Sequence, residues 1–209
     1  MKKIMFNDRY GLTKAVLNGT KTMTRRIIPE IWVDFPRSGR QKANIRGLHS
    51  QVLMMDFSHV LGEDCLYPAD SKYQPKYYKG DKVAVAQAYK NAIHPLDWVN
   101  RTIYQDTPGW DNKLFVRANL MPHRIRITNI KLERLQDISD EDCMKEGIME
   151  GEFMNTWDTF YFDIWGDVPN HKTFKAPRAA FAYLIDRISG KGTWERNPYV
   201  YVYEFELIK

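Results

Sequence analysis

Tyr199-Val200-Tyr201-Val202-Tyr203-Glu204-Phe205-Glu206-Leu207-Ile208 reads as one long β-strand. Tyr199, Tyr201, Tyr203, Phe205 and Leu207 fall on one face, and Val200, Val202, Glu204 and Glu206 on the other. That two-residue period is the strand period. In the first half both sets are apolar, the pattern of a strand covered on both faces, as inside a barrel.

Working outward, Arg124-Ile125-Arg126-Ile127-Thr128 alternates polar and apolar, and the alternation resumes at Ile130 and Leu132 with its phase shifted. One strand with a bulge near Asn129 accounts for the shift. Lys82-Val83-Ala84-Val85-Ala86 follows the turn signal Gly80-Asp81 and reads as a buried strand. Helices are predicted over 8–18, where Leu12, Ala15 and Val16 share a face before Gly19, and from a Ser139 cap to Gly147. Another is predicted from Pro177 to Gly190, with Phe181, Leu184, Ile185 and Ile188 on one face. Trp157, Phe160, Tyr161 and Ile164 also fall at helical spacing. Residues 30–79 read as a long, mostly irregular insertion with one hairpin, either partly ordered or a lid, and residues 90–115 as loop with a short strand near Arg101–Gln105. No regular strand–helix–strand rhythm is present, so the expected fold is mixed α/β (α+β) rather than a doubly wound sheet.

The 209 residues suit a single domain, 1–209, with insertions. Lys and Arg number 31 against 26 Asp and Glu, a net charge of +5 that mildly favours anionic partners. Cys65 and Cys143 are too few for a disulfide framework. The N-terminus lacks a long apolar run, and no stretch of about 18 apolar residues occurs. A cytoplasmic protein without a membrane partner is therefore expected. His49, His59, His94, His123 and His171 show no metal-ligand spacing, so neither metal nor cofactor is expected.

The stretch Gly19-Thr20-Lys21-Thr22-Met23-Thr24-Arg25-Arg26 gathers three cations and three hydroxyls into eight residues. Read alone it is a solvated basic strand. On a regular strand Lys21 and Thr24 face opposite ways, so they meet only where the backbone turns.

This Gly-x-Lys-Thr-x-Thr-x-Arg pattern after a short helix resembles the signature of the ASCH domain. Further similarities follow in order: Gly80-Asp81 before a strand, Met121-Pro122 before Arg124, Leu135-Gln136-Asp137-Ile138-Ser139 before a helix with Glu146-Gly147-Ile148, and Asn197-Pro198 before the aromatic strand. Together they resemble the larger phage- and prophage-type members. The resemblance covers most of the chain but skips about 30–79 and 90–115. It departs where the subgroup has an Arg-Glu pair, here Ala86-Gln87.

The resemblance implies a PUA-like β-barrel with flanking helices and a basic pocket for a nucleobase, nucleoside or RNA. In small members that hydrolyse acetylated cytidine without a metal, it points to a Lys, a Thr and a Glu, matching Lys21, Thr24 and Glu146. Candidate substrate-binding residues are Thr22, Arg25, Arg26, Gln87 and Arg124. Thr24 can attack the acyl carbon or hold a water. Lys21 can act as a base, at a cost of roughly 4–5 kcal/mol for deprotonation at neutral pH, or as a cation facing an oxyanion. The alternative is a non-catalytic RNA- or DNA-binding module of phage origin.

Overall fold

The computed structural model describes residues 1–62, 65–153, 156–161 and 172–208. Strand β1 (Lys3–Ile4) leads to helix α1 (Leu12–Leu17) and strand β2 (Met23–Ile27). The first insertion carries β3 (Trp32–Phe35), β4 (Gly39–Lys42), β5 (Asn44–His49), β6 (Val52–Asp56), α2 (Ser58–Leu61) and β7 (Leu66–Pro68). Then come β8 (Lys82–Val85), α3 (Tyr89–Ala92), α4 (Trp98–Tyr104), β9 (Arg124–Arg134) and α5 (Asp140–Lys145). The chain continues through β10 (Met149–Phe153), β11 (Thr156–Tyr161), α6 (Pro177–Ser189), α7 (Thr193–Arg196) and β12 (Tyr199–Ile208).

The fold is mixed α+β. Its main sheet has the order β1-β8-β9-β12-β2; β1 and β8 are parallel and the other neighbours antiparallel. Strand β12 sits between β9 and β2. Glu204 pairs with Asn129 but Phe205 with Ile127, so Thr128 is the extra residue of a bulge. This is the phase shift visible in the sequence, displaced by one residue.

Both faces of β12 are covered, as its composition requires. Val200, Val202, Tyr201 and Tyr203 are all buried. On the tyrosine face, the Tyr201 hydroxyl donates to the Tyr73 carbonyl (2.7 Å) and the Tyr203 hydroxyl accepts from the Lys76 amide (3.1 Å). Tyr77 meets Tyr203 edge-on at 5.4 Å. The end of the first insertion is therefore core material, with Ala69 and Tyr77 buried beside the sheet. Helix α5 packs against β2 and α6, and α6 buries Phe181, Leu184 and Ile185.

The helix ends follow their sequence signals. Pro177 opens α6. The Ser139 hydroxyl accepts from the Asp142 amide (3.1 Å) to cap α5. Gly147, at φ +100°, ends that helix in a conformation that disfavours a side chain.

Three segments differ from expectation. The described part of the first insertion carries more strand than one hairpin, forming the hairpin β3–β4 and the three-stranded sheet β5-β6-β7. Residues 98–104 form α4 rather than a strand, because Asp97 caps the turn by accepting from the Asn100 amide (3.1 Å). Residues 156–161 form β11 rather than a helix: they are aromatic and β-branched, and Met149–Phe153 offers a partner strand. Ile164 and His171 lie outside the described residues. Among the described residues no helix is long and apolar enough to cross a membrane.

Candidate functional site

Helix α1 ends at Leu17, and Gly19 turns the chain at φ +79°. Residues 20–22 then run outside any ladder, with the Lys21 amide donating to Ala15 O and the Thr22 amide to Lys145 O. Strand β2 starts at Met23. This irregular connection lets Lys21 and Thr24 line the same hollow. The hollow has a volume of about 330 Å³, near the lower end of the roughly 300–1,000 Å³ usual for small-molecule sites. Phe6, Leu12, Phe181, Leu184 and Ile185 supply apolar walls; Lys21, Thr24, Arg25, Arg26 and Glu146 supply the polar ones.

Lys21 is 2% exposed. Its ammonium donates to the Glu146 carboxylate Oε2 and to the Glu146 carbonyl, each at 2.6 Å. Gly147 allows this double contact by ending α5 directly after Glu146. The other Glu146 oxygen, Oε1, accepts from Arg25 Nη1 at 3.1 Å. Burial pulls the Lys21 amine below its ordinary pKa; the Glu146 charge opposes that pull, and Arg26 and Arg25 add to it.

Arg25 is held in turn. Its Nε and Nη2 donate to Glu133 Oε1 (2.9 and 2.6 Å), and Nη2 also donates to Asp142 Oδ2 (3.1 Å). Lys131 and Lys145 complete the network around Asp142 at 3.3 and 3.1 Å. Burial pushes the Asp142 pKa up, but its bonds to Lys145, Lys131 and Arg25 outweigh burial and hold it below its ordinary value. The Asp142 carboxylate turns to these cations. The sequence assigns neither Glu133 nor Asp142 a place in the site, because an acid on β9 and one on α5 carry no local sign of a shared arginine.

Thr24 is buried, and among the described residues its hydroxyl has no hydrogen-bond partner. Arg26 lies over the Phe6 ring at 5.9 Å and donates from Nη2 to Met5 O (2.7 Å). The other sequence candidates sit elsewhere. Thr22 is held in the backbone of the turn, its carbonyl accepting from the Phe205 amide. Gln87 is buried with its Oε1 at 2.8 Å from His123 Nδ1, and Arg124 is exposed on β9; neither lines the hollow. Among the described residues no three His, Cys, Asp or Glu side chains are gathered as a metal-ligand set.

A larger cleft of about 750 Å³ lies between the first insertion and the β2 end of the sheet. Its charges are largely engaged: Lys42 with Glu30, Arg46 with Asp56 (2.8 Å), and Arg134 with the Asn197 carbonyl (3.1 Å). The smaller hollow holds the buried charges and the unpartnered hydroxyl, and it carries the chemistry that follows. Comparison with models of known families, with curated proteins and with solved structures finds no match.

Proposed function

We propose that the chain is an ASCH-type protein whose sheet forms the wall of a PUA-like barrel, and that the hollow beside Lys21 receives an acylated nucleobase or nucleoside and hydrolyses its amide. A contact between the sheet edges supports the barrel: Arg26 on β2 reaches Met5 just past β1. The observation that carries the chemical reading is a buried Lys21–Glu146 pair and a buried, unpartnered Thr24 hydroxyl lining one small cavity.

In this reading the apolar walls hold the planar base while water attacks the acyl carbon. Glu146, with lone pairs beyond those its partners use, takes the water proton. The Thr24 hydroxyl donates to the developing oxyanion. As the carbon–nitrogen bond breaks, Lys21 gives its proton to the departing nitrogen. It regains one from Glu146 across their 2.6 Å contact. The products are a carboxylic acid and the free amine. The lowered Lys21 pKa suits a donor that must release a proton.

One observation favours a non-catalytic RNA- or DNA-binding module instead: both Glu146 oxygens are already engaged, by Lys21 and Arg25. Incubation with N4-acetylcytidine separates the readings. Release of acetate and cytidine, lost in Lys21→Met, supports hydrolysis. Binding without release supports the module, and neither binding nor release removes the pocket reading.

A further inference from the structure

Next to the first hollow lies a second, of about 270 Å³, and the two share Met5, Arg26 and Ile27 in their walls. The charged lining of the second is Lys3, Arg26, Lys72 and Lys76, with no Asp or Glu. Lys3 is committed elsewhere, its ammonium donating to the Leu114 and Val116 carbonyls at 2.7 Å each. The other three are not so engaged. Arg26 has no carboxylate partner among the described residues, and its one bond to Met5 leaves donors on Nη1 and Nε. Among the described residues the Lys76 ammonium has only the Tyr77 ring, 5.7 Å away. Lys72 lies over Tyr73 at 4.8 Å and is 4.0 Å from an exposed Asp70.

Three of the four tyrosines lining this hollow are already bonded. Tyr77 donates to Lys3 O (2.8 Å), Tyr201 donates to Tyr73 O (2.7 Å), and Tyr203 accepts from the Lys76 amide (3.1 Å). Among the described residues the free polar groups of this hollow are therefore the cationic donors and the Tyr73 hydroxyl, which can also donate. Such a set complements a phosphate, whose oxygens only accept. Arg26 stands on the boundary between the two hollows.

We infer that the second hollow is a phosphate subsite, so that the ligand is a phosphorylated nucleoside: the base lies in the first hollow and its phosphate against Arg26, Lys72 and Lys76. The base placement rests on the function proposed above; the phosphate placement rests on the charge inventory of the second hollow. The phosphate can belong to a free mononucleotide or to a nucleic-acid strand, since both offer the same oxygens.

The test measures binding of cytidine, N4-acetylcytidine, their 5′- and 3′-monophosphates and a short cytidine-containing single strand, all at one ionic strength. At least one monophosphate is expected to bind about tenfold or more tighter than its nucleoside, as one charge-assisted hydrogen bond supplies. Lys72→Ala/Lys76→Ala is expected to remove that advantage and leave nucleoside binding unchanged. The Lys76 backbone amide that Tyr203 accepts from is untouched, and an unchanged Tm checks the fold. A further gain with the strand assigns the phosphate to nucleic acid; no further gain assigns it to a free nucleotide. Monophosphates no tighter than nucleosides, or an advantage kept by the double variant, overturn the subsite while leaving the first pocket standing. If no nucleoside binds, the function proposed above fails, and inorganic phosphate still decides the subsite. At matched ionic strength it should shift the Lys76 and Tyr77 amide resonances in wild type but not in the double variant, and silence there overturns the inference.

Discussion

At Thr24 a hydroxyl has been kept in a buried position where it bonds to nothing described. A β-branched apolar residue would fill the same space, so folding gives no account of the oxygen. Thr24→Val is therefore expected to raise stability by roughly 1 kcal/mol, since it removes a buried unsatisfied group, while lowering amide hydrolysis by roughly 10²–10³, the loss typical of one oxyanion donor. Urea titration beside an acetate-release assay checks both halves. Glu146 behaves oppositely. Glu146→Gln leaves the Lys21 ammonium buried without its counter-charge and is expected to cost about 3 kcal/mol, read from the urea midpoint. Arg25 keeps Glu133 and Asp142, so the damage should centre on Lys21. Lys21 and Thr24 were legible in the sequence through their motif. The hold on Glu146 was not, because Arg25 is governed by acids 108 and 117 positions away.

Among the elements, the short helix α5 positions the acid of the site. It runs only from Asp140 to Lys145, and its end presents the Glu146 carbonyl and carboxylate together to one amine. Gly147→Ala forces a side chain into φ +100° and brings a Cβ to 3.4 Å from Leu12 and 3.7 Å from Lys21. The expected outcome is a loss of about 1–2 kcal/mol with a larger fall in turnover than in affinity, separable by kcat and KM. Elements were legible where local chemistry decides them: the Ser139 cap, the Pro177 start, and the two-residue period of β12 with its bulged partner. The residues of β11 read as helix because Trp157, Phe160 and Tyr161 fall three and four apart, a helical spacing that pairing with β10 overrides. The insertion hid its strands because Trp32–Lys42 and Asn44–Pro68 pair only with one another and carry weak alternation.

For the whole molecule, the buried aromatic face sets an alkaline limit. Burial pushes the Cys143 thiol from 9.0 to about 12 and the Tyr77 phenol from 10.0 to about 12. Tyr201 and Tyr203 also rise, by burial foremost. A raised folded-state pKa contributes stability that is complete below the unfolded value and lost as pH climbs to the folded one. These groups should therefore destabilise the fold progressively from about pH 9 to 12. Lys21 has the opposite sign: its lowered pKa makes stability rise with pH up to its unfolded value near 10.5. The several raised groups outnumber that one, so a net fall in the urea midpoint above pH 10 is expected, with Tyr77→Phe flattening it. The α+β class was readable from strand periods and the missing strand–helix rhythm; the order of the sheet was not, since pairing joins segments far apart. That order has a temporal consequence. The strand lying between β9 and β2 follows both in the chain, so on the ribosome they must wait, their inward flanks unsatisfied, until the middle arrives. Such open flanks invite pairing with other nascent chains, and this molecule's yield in a cell should depend on holdase chaperones that shield them during that delay.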